Sequence, residues 1–446
     1  MITVTLINLL KVFNTYVIHN NLVAMKPINY KKIDNELYAP NLEYSISTIM
    51  PTSLEAIDCS CQRHSLTSSA YAKILDENNF MNVHNVVIII IDSLGLNQIM
   101  NHKFGKLFEN VNGLELSSVF PTVTSAAVSS IMMGLFPYQH GLLGHKIYIP
   151  ELNDIVDLLK MTTLSDNRFI FEFIEPTDLI WQKAISDLEK DILLVDIAEQ
   201  SIAGHGLSYA FQNLRHTFGY YGFADGLAMT KYFLKNFKQR KIITLYNGVL
   251  DHIAHGYGPF SPEFIDSMDV VLFLLKQFLN RISSEILKDT SFVITADHGQ
   301  TFLSHKLVIK KRDAERIIPY LNKMPGRSGR VIHFYASEDN MGIVRDWLNE
   351  TYGANAVILS FDECVANNLI SCDSTNCRKI RERLGDLLVI LKDNVVSVFE
   401  RKIEEERLFE REIVGSHGSL SLNELRVPFI AINGYELLKI INNLSI

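Results

Sequence analysis

Three aspartates and three histidines stand where a folded chain can deliver metal ligands. Asp92 closes the apolar run VVIIIID. Asp251 and His255 lie four apart in YNGVLDHIAHGYGP, which puts both on one face if that stretch is helical. Asp297 and His298 follow the apolar run FVITA, and Gly299 after them permits the close backbone approach that a crowded site needs. His417 sits in the loop-like GSHGS. Taken singly, each has a plainer role: an Asp at a strand end often caps a helix, and an Asp–His pair at this spacing is also a surface pairing. Together they supply imidazole nitrogen and carboxylate oxygen, which suit Zn2+, with Mn2+ or Fe as alternative occupants. Six such residues exceed the three protein ligands of an ordinary catalytic zinc. They suit two metal ions about 4 Å apart, which clamp the attacking and leaving oxygens of an in-line displacement.

An attacking group is available at Thr124. It follows FPTV and opens the small-residue stretch SAAVSSIMMG, which reads as a helix. A hydroxyl at a helix N-terminus lies among free N–H groups that favour anions. Metal coordination would lower its pKa enough for it to act as a nucleophile. Capping the helix is the competing role for Thr124, and Thr122 is its nearest rival for either task.

These residues fall at the ends of elements that a sheet would bring together. Val86–Asp92 is expected to be a fully buried strand, since its four consecutive isoleucines leave no polar face. Lys241–Tyr246 (KIITLY), Phe292–Ala296 (FVITA) and Val427–Asn433 (VPFIAIN) have the same character. Pro262–Leu287 shows the i, i+3, i+4 apolar spacing of a helix. Strands alternating with helices predict an α/β fold with a mostly parallel central sheet covered on both faces. Ligands bind such sheets beyond the carboxyl ends of the strands, where Asp92, Asp251, Asp297 and His298 lie. Residues 301–410 read differently. They hold a charged stretch (KLVIKKRDAER), a βαβ-like piece (GRVIHFYAS, DNMGIVRDWLNETYG, AVILS) and a strand candidate at Asp386–Leu391. An inserted small α+β cap or subdomain is expected there. The core is then 81–300 with 411–446, preceded by a leading segment 1–80. The run RKIEEERLFEREI reads as a solvated helix face.

In their order along the chain, these segments resemble the type I phosphodiesterase/nucleotide pyrophosphatase branch of the alkaline phosphatase superfamily. That branch carries FP-x-x-T, then G-L-x-P-x-x-H-G, D-x-x-x-H, D-H-G and a late H-G. Here the first two read Phe120-Pro121-Thr122-Val123-Thr124 and Gly134-Leu135-Phe136-Pro137-Tyr138-Gln139-His140-Gly141. The others run from Asp251 to His255, from Asp297 to Gly299, and over His417-Gly418. Each motif is short. The likeness rests on all five in order, over residues 86–145, 241–301 and the tail from 415.

The resemblance implies an alkaline-phosphatase-like three-layer αβα sandwich. It implies a phosphoric ester hydrolase that cleaves phosphodiester or nucleotide pyrophosphate bonds. By the same resemblance, Asp92, Thr124, Asp297 and His298 hold one zinc, and Asp251, His255 and His417 hold the other. A covalent phospho- or nucleotidyl-threonine on Thr124, hydrolysed in a second step, is also implied. The alternatives are a phosphomonoesterase or phosphonate hydrolase of the same superfamily, or a binding module without catalysis. His140 belongs to the motif but is expected to make a structural hydrogen bond after its Pro turn. His145, His252 and His305 have no matched role. Ala127 departs from the family, many of whose members have Asn three residues after the nucleophile to help hold the phosphate.

Composition narrows the partners. With 446 residues, 47% hydrophobic and 21% charged, the chain can bury a sizeable core and is not of the disordered type. A formal net charge of −8 and the lack of a strong basic run argue against nucleic acid. A small-molecule phosphate ester or nucleotide is the expected ligand. The apolar residues 2–18 are interrupted by Asn8, Lys11 and Asn14, and fall short of the roughly 20 apolar residues a membrane span needs. They lack the basic start and cleavage site of a signal peptide. A packed N-terminal element and an extension upstream of a start at Met25 are both consistent with them, and a cytoplasmic location is expected. Five cysteines without a CxxC pair make neither a disulfide framework nor a Cys-based zinc site. Free thiols are expected, with one bridge among Cys364, Cys372 and Cys377 as the alternative. Oligomeric state has no signature in the sequence.

Overall fold

A computed structural model describes residues 28–59, 62–182, 192–211, 216–400 and 412–444. The apolar run at 2–18 and most of RKIEEERLFEREI lie outside these residues. With strands numbered along the chain, the central sheet contains β1 (Asn85–Ile91), β2 (Leu114–Ser117), β6 (Leu193–Glu199), β7 (His216–Tyr220), β8 (Lys241–Asn247), β9 (Thr290–Thr295) and β18 (Arg426–Asn433). Their order is β2-β18-β9-β1-β8-β6-β7. β9, β1, β8, β6 and β7 are mutually parallel, while β18 runs antiparallel to both β9 and β2. The expected mostly parallel α/β sheet is therefore present.

β1 sits in the middle, paired with β8 on one side and β9 on the other. All seven of its residues are buried, as a strand covered on both faces requires. Ile88, Ile89, Ile90 and Ile91 are each at most 1% exposed, and burying a side chain of this size contributes roughly 1.5–3 kcal/mol. The apolar spacing over Pro262–Leu287 resolves into two helices, Pro262–Asn280 and Ser284–Lys288. Ser283 divides them, because its hydroxyl accepts from Ile286 N and caps the second helix. The first helix buries Phe264, Met268, Leu272, Leu275 and Leu279 along one stripe.

A second sheet has the order β14-β15-β13-β12-β3-β4-β5 and is antiparallel throughout. Its strands are β3 (Lys146–Ile149), β4 (Asp154–Asp157), β5 (Thr162–Thr163), β12 (Leu321–Ser328), β13 (Val331–Ala336), β14 (Ala356–Ser360) and β15 (Leu387–Leu391). It thus draws on two stretches of chain, one of them at 146–163. The βαβ-like piece consists of β13, a helix at Met341–Tyr352 and β14, with β15 placed between the two strands. Two small pairs complete the sheets: β10 (Thr301–Phe302) with β17 (Gly415–Ser416), and β11 (His305–Ile309) with β16 (Val395–Phe399). A bridge joins Cys372 to Cys377, so these two depart from the expected free thiols; Cys364 is free, and both it and Cys59 are buried. Among the described residues, no helix is long and apolar enough to cross a membrane.

Candidate metal centre

The parallel strands deliver the predicted residues to one end of the central sheet. Asp92 follows β1 and is fixed by its N–H, which donates to Asn247 O at 2.9 Å. Asp297 and His298 follow β9 and are fully buried. Thr124 is the first residue of the helix Thr124–Met133, and Val123 occupies the cap position before it without a side-chain cap bond. The threonine hydroxyl is thus free of capping. It lies 3.3 Å from Asp92 Oδ2, to which it donates, and 3.3 Å from His298 Nε2. His298 Nε2 is 3.3 Å from Asp297 Oδ2 and 3.6 Å from Asp92 Oδ1.

The remaining three predicted residues close the site from the helix Val249–Tyr257 and the loop after β17. Asp251 and His255 do share a helix face, with His255 Nε2 3.4 Å from Asp251 Oδ1. His417 Nε2 approaches the same oxygen at 3.5 Å. The rings of His298 and His417 stack with centroids 3.9 Å apart. One ligand atom each from Asp92, Asp297 and His298 can gather within 4.8 Å, and so can one each from Asp251, His298 and His417.

The outward nitrogens explain how the rings are aimed. His255 Nδ1 lies 2.8 Å from Gly415 O, His417 Nδ1 2.8 Å from Thr122 O, and His298 Nδ1 3.2 Å from Gly299 O. A carbonyl oxygen only accepts, so each Nδ1 carries a hydrogen, and Nε2, turned to the carboxylates, is the nitrogen left to ligate a metal. Burial lowers the His298 pKa to about 4. Burial, with His298 beside it, lowers that of His417 to about 3. Both rings are therefore neutral at pH 7, the form that binds metal. Burial, then repulsion from Asp297 and Asp251, pushes the Asp92 carboxyl well above the usual carboxylate range. Burial raises Asp297 to about 6, and its Oδ2 is buried without a hydrogen bond. Crowded carboxylates, an orphaned oxygen and neutral imidazoles form a donor set that fits divalent cations.

Comparison with known proteins gives the family and the fold. The chain matches the type I phosphodiesterase / nucleotide pyrophosphatase family over residues 86–420. It belongs to that family. It is 26% identical over 271 residues to ectonucleotide pyrophosphatase/phosphodiesterase family member 1 of Rattus norvegicus. That match covers 58% of this chain and 26% of the relative, so it spans about a quarter of the relative's length. Among solved structures, murine ectonucleotide pyrophosphatase/phosphodiesterase 5 superposes with a TM-score of 0.56 at 17% identity, covering 81% of this chain and 96% of that one. An inactive threonine-to-alanine variant of that murine protein has been solved in complex with AMP. Phosphonoacetate hydrolase from Sinorhizobium meliloti 1021, in complex with phosphonoacetate, superposes with a TM-score of 0.50 at 17% identity, covering 80% of this chain and 94% of that one. At these identities the likeness establishes a shared fold.

Several residues around the family motifs escaped the sequence. The Tyr246 hydroxyl donates to Asp92 Oδ2. Ser93, held at φ +63°, donates to Asp251 Oδ1 at 2.9 Å, and the Gln300 amide reaches the same oxygen. Their positions next to Asp92, before Asp251 and after Gly299 were the sole available signal. Gly299 is required sterically, since a Cβ there would stand 2.1 Å from Asn423 O. Thr122 takes a different part from Thr124: its buried hydroxyl donates to Ser419 O at 2.8 Å and accepts from Gly418 N at 3.0 Å. Ala127 is fully buried in the main hydrophobic core. His140 is also buried, 3.1 Å from Ser130 Oγ and accepting from Leu142 N. His145 pairs with Asp157 at 3.2 Å, whereas His252 and His305 are exposed.

Proposed function

We propose that the protein hydrolyses phosphodiester or nucleotide pyrophosphate bonds at a two-metal centre, with Thr124 as the nucleophile. The observation that carries this reading is the common orientation of His255, His298 and His417, each with Nδ1 against a backbone carbonyl and Nε2 turned to the carboxylates. Asp92, Thr124, Asp297 and His298 would hold one ion, and Asp251, His255 and His417 the other. Zinc suits this donor set, and manganese or iron could replace it. Bound there, the ions would acidify the Thr124 hydroxyl and neutralise charge on the phosphoryl oxygens.

The chain's own residues do the rest. The N-terminus of the Thr124–Met133 helix faces the substrate with its first N–H groups and favours an anionic phosphoryl group. Thr124 Oγ attacks phosphorus and releases the first alcohol or nucleotide product. Water then attacks the phospho- or nucleotidyl-threonine from the opposite side and frees Thr124. Tyr246 and Ser93 hold the Asp92 and Asp251 carboxylates in place through the two steps. The phosphonoacetate hydrolase with the same fold motivates a phosphonate arm in the test. Chelated protein reloaded with zinc should turn over bis-p-nitrophenyl phosphate or a nucleotide p-nitrophenyl ester faster than p-nitrophenyl phosphate or phosphonoacetate. If protein holding two equivalents of metal turned over none of the four, the proposal would fail. Preference for the monoester or the phosphonate would move the substrate class and leave the centre intact.

A further inference from the structure

Arg330 and Glu424 form an ion pair at 2.8 Å in which both side chains are fully buried. Arg330 begins the return from β12 to β13 in the second sheet, and Glu424 precedes β18 in the central sheet. Such a pair is costly to desolvate, and apolar residues of the same shape are often as stable or more so. Its contacts suggest what it does instead. Glu424 Oε1 accepts from Ser419 N at 2.9 Å, and Oε2 accepts from Ser421 N at 3.2 Å and Ser421 Oγ at 2.7 Å. These bonds tie down the backbone that follows His417. The Glu424 carbonyl accepts from Gly299 N at 3.0 Å, directly after Asp297 and His298. From the other sheet, Arg330 N donates to His417 O at 3.1 Å. Gly418, at φ +113°, lies so close to the β12–β13 turn that a Cβ would stand 2.4 Å from Ser328 O. The Arg330 side chain is itself anchored by the carbonyls of Leu391, Lys392 and Val395.

We propose that Arg330, acting through Glu424, is a positioning residue for the metal ligands, so that the second sheet sets the geometry of His417 and of the Asp297–Gly299 loop. This rests on the two-metal reading above. Arg330 touches neither metal nor substrate in this role. It fixes the loop whose carbonyl and imidazole it holds in register with the carboxylates, as outer-shell partners of metal ligands do.

The test separates positioning from stability. The double variant Arg330→Met/Glu424→Leu removes both charges and leaves no unpaired ion. Its melting temperature in chelator is expected at or above that of the native protein. Zinc titration against a chromophoric chelator is then expected to show at least one of the two equivalents bound tenfold or more weakly, with kcat at subsaturating zinc reduced and partly restored by excess zinc. Native affinity at both equivalents in this variant would overturn the proposal. Should the double variant not fold, Arg330→Lys carries the same comparison, since it keeps the charge but loses the fork to the three carbonyls. Weakened zinc binding supports the proposal and native binding overturns it. Failure of the two-metal reading is distinguishable, because the native protein itself would then not take up two equivalents.

Discussion

Replacing Asp297 with Asn tests the physical basis of the centre most directly. Asp297 is fully buried, and burial raises its carboxyl pKa from 3.8 to about 6 in the metal-free protein. A carboxyl whose pKa is raised on folding favours the folded state fully below pH 3.8, and that contribution is lost as the pH climbs through about 6. A shift of about two units, at about 1.36 kcal/mol each, makes the loss about 3 kcal/mol by pH 7.5. Asn has nearly the same shape and never ionises, so the variant escapes this penalty. An unfolding entropy of about 2.1 cal/mol/K per residue gives about 0.9 kcal/mol/K for 446 residues. Asp297→Asn should therefore melt about 3 °C above the native protein in EDTA at pH 7.5, with the gap closing towards pH 4. Zinc should reverse the order. The native protein gains about 2.7 kcal/mol when free zinc exceeds Kd a hundredfold, and the variant, short of one charged ligand, gains less. Scanning calorimetry at the two pH values, with and without zinc, reads all four states. A variant that melts below the native protein in EDTA at pH 7.5 would refute the reasoning, since the carboxylate would then be stabilised by the protein alone.

Three further perturbations bear on other parts of the molecule. Thr124→Ala should abolish covalent labelling and lower turnover by at least about a thousandfold while leaving metal stoichiometry unchanged; near-native rates would point to direct attack by water. Thr122→Val should leave Gly418 N without its partner, cost about 1–3 kcal/mol in thermal or urea unfolding and weaken metal binding, yet preserve labelling at saturating zinc. Loss of labelling in Thr122→Val with retention in Thr124→Ala would exchange their roles. His333 is buried in the second sheet, and burial lowers its pKa to about 4. The stability tied to its neutral form is present above about pH 6.5 and lost as the pH falls towards 4, so His333→Gln should flatten acid unfolding by up to about 3 kcal/mol; an unchanged pH profile would count against this.

The central sheet was legible because its signal is local. Four adjacent β-branched isoleucines in a short apolar run read as a strand buried on both faces, and Asp92 at their end is at once placed where α/β sheets bind ligands. The same holds for FVITA with Asp297 and His298, and for the helical spacing of Asp251 and His255. The break at Ser283 was hidden because a helix cap interrupts an apolar period without changing its phase. Long-range pairing was hidden for a different reason. Nothing near Lys146 signals that β3 will pair with β12, roughly 180 residues on, because an antiparallel edge is chosen by shape and burial after the chain has collapsed. Arg330 and Glu424 look like two ordinary charges in the sequence, and their burial as a pair becomes visible only when both sheets are in place.

The outer contacts of the three histidines bear on how the centre assembles. A carboxylate would orient an imidazole more strongly than a carbonyl does, but Asp92, Asp251 and Asp297 already crowd the site, and burial with their mutual repulsion holds Asp92 well above the usual carboxylate range. Backbone carbonyls fix the tautomer without adding charge. They also make the ligands depend on one another. Gly415, which orients His255, lies two residues before His417; Thr122, which orients His417, lies two residues before Thr124. Only His298 is oriented from within its own turn, by Gly299. Displacing the 415–419 loop therefore misaims His255 as well as His417, and displacing the Thr122–Thr124 segment disturbs His417 together with Thr124. A centre wired in this way is expected to lose its metals together rather than one ligand at a time, with the 415–419 loop as the element through which the loss spreads.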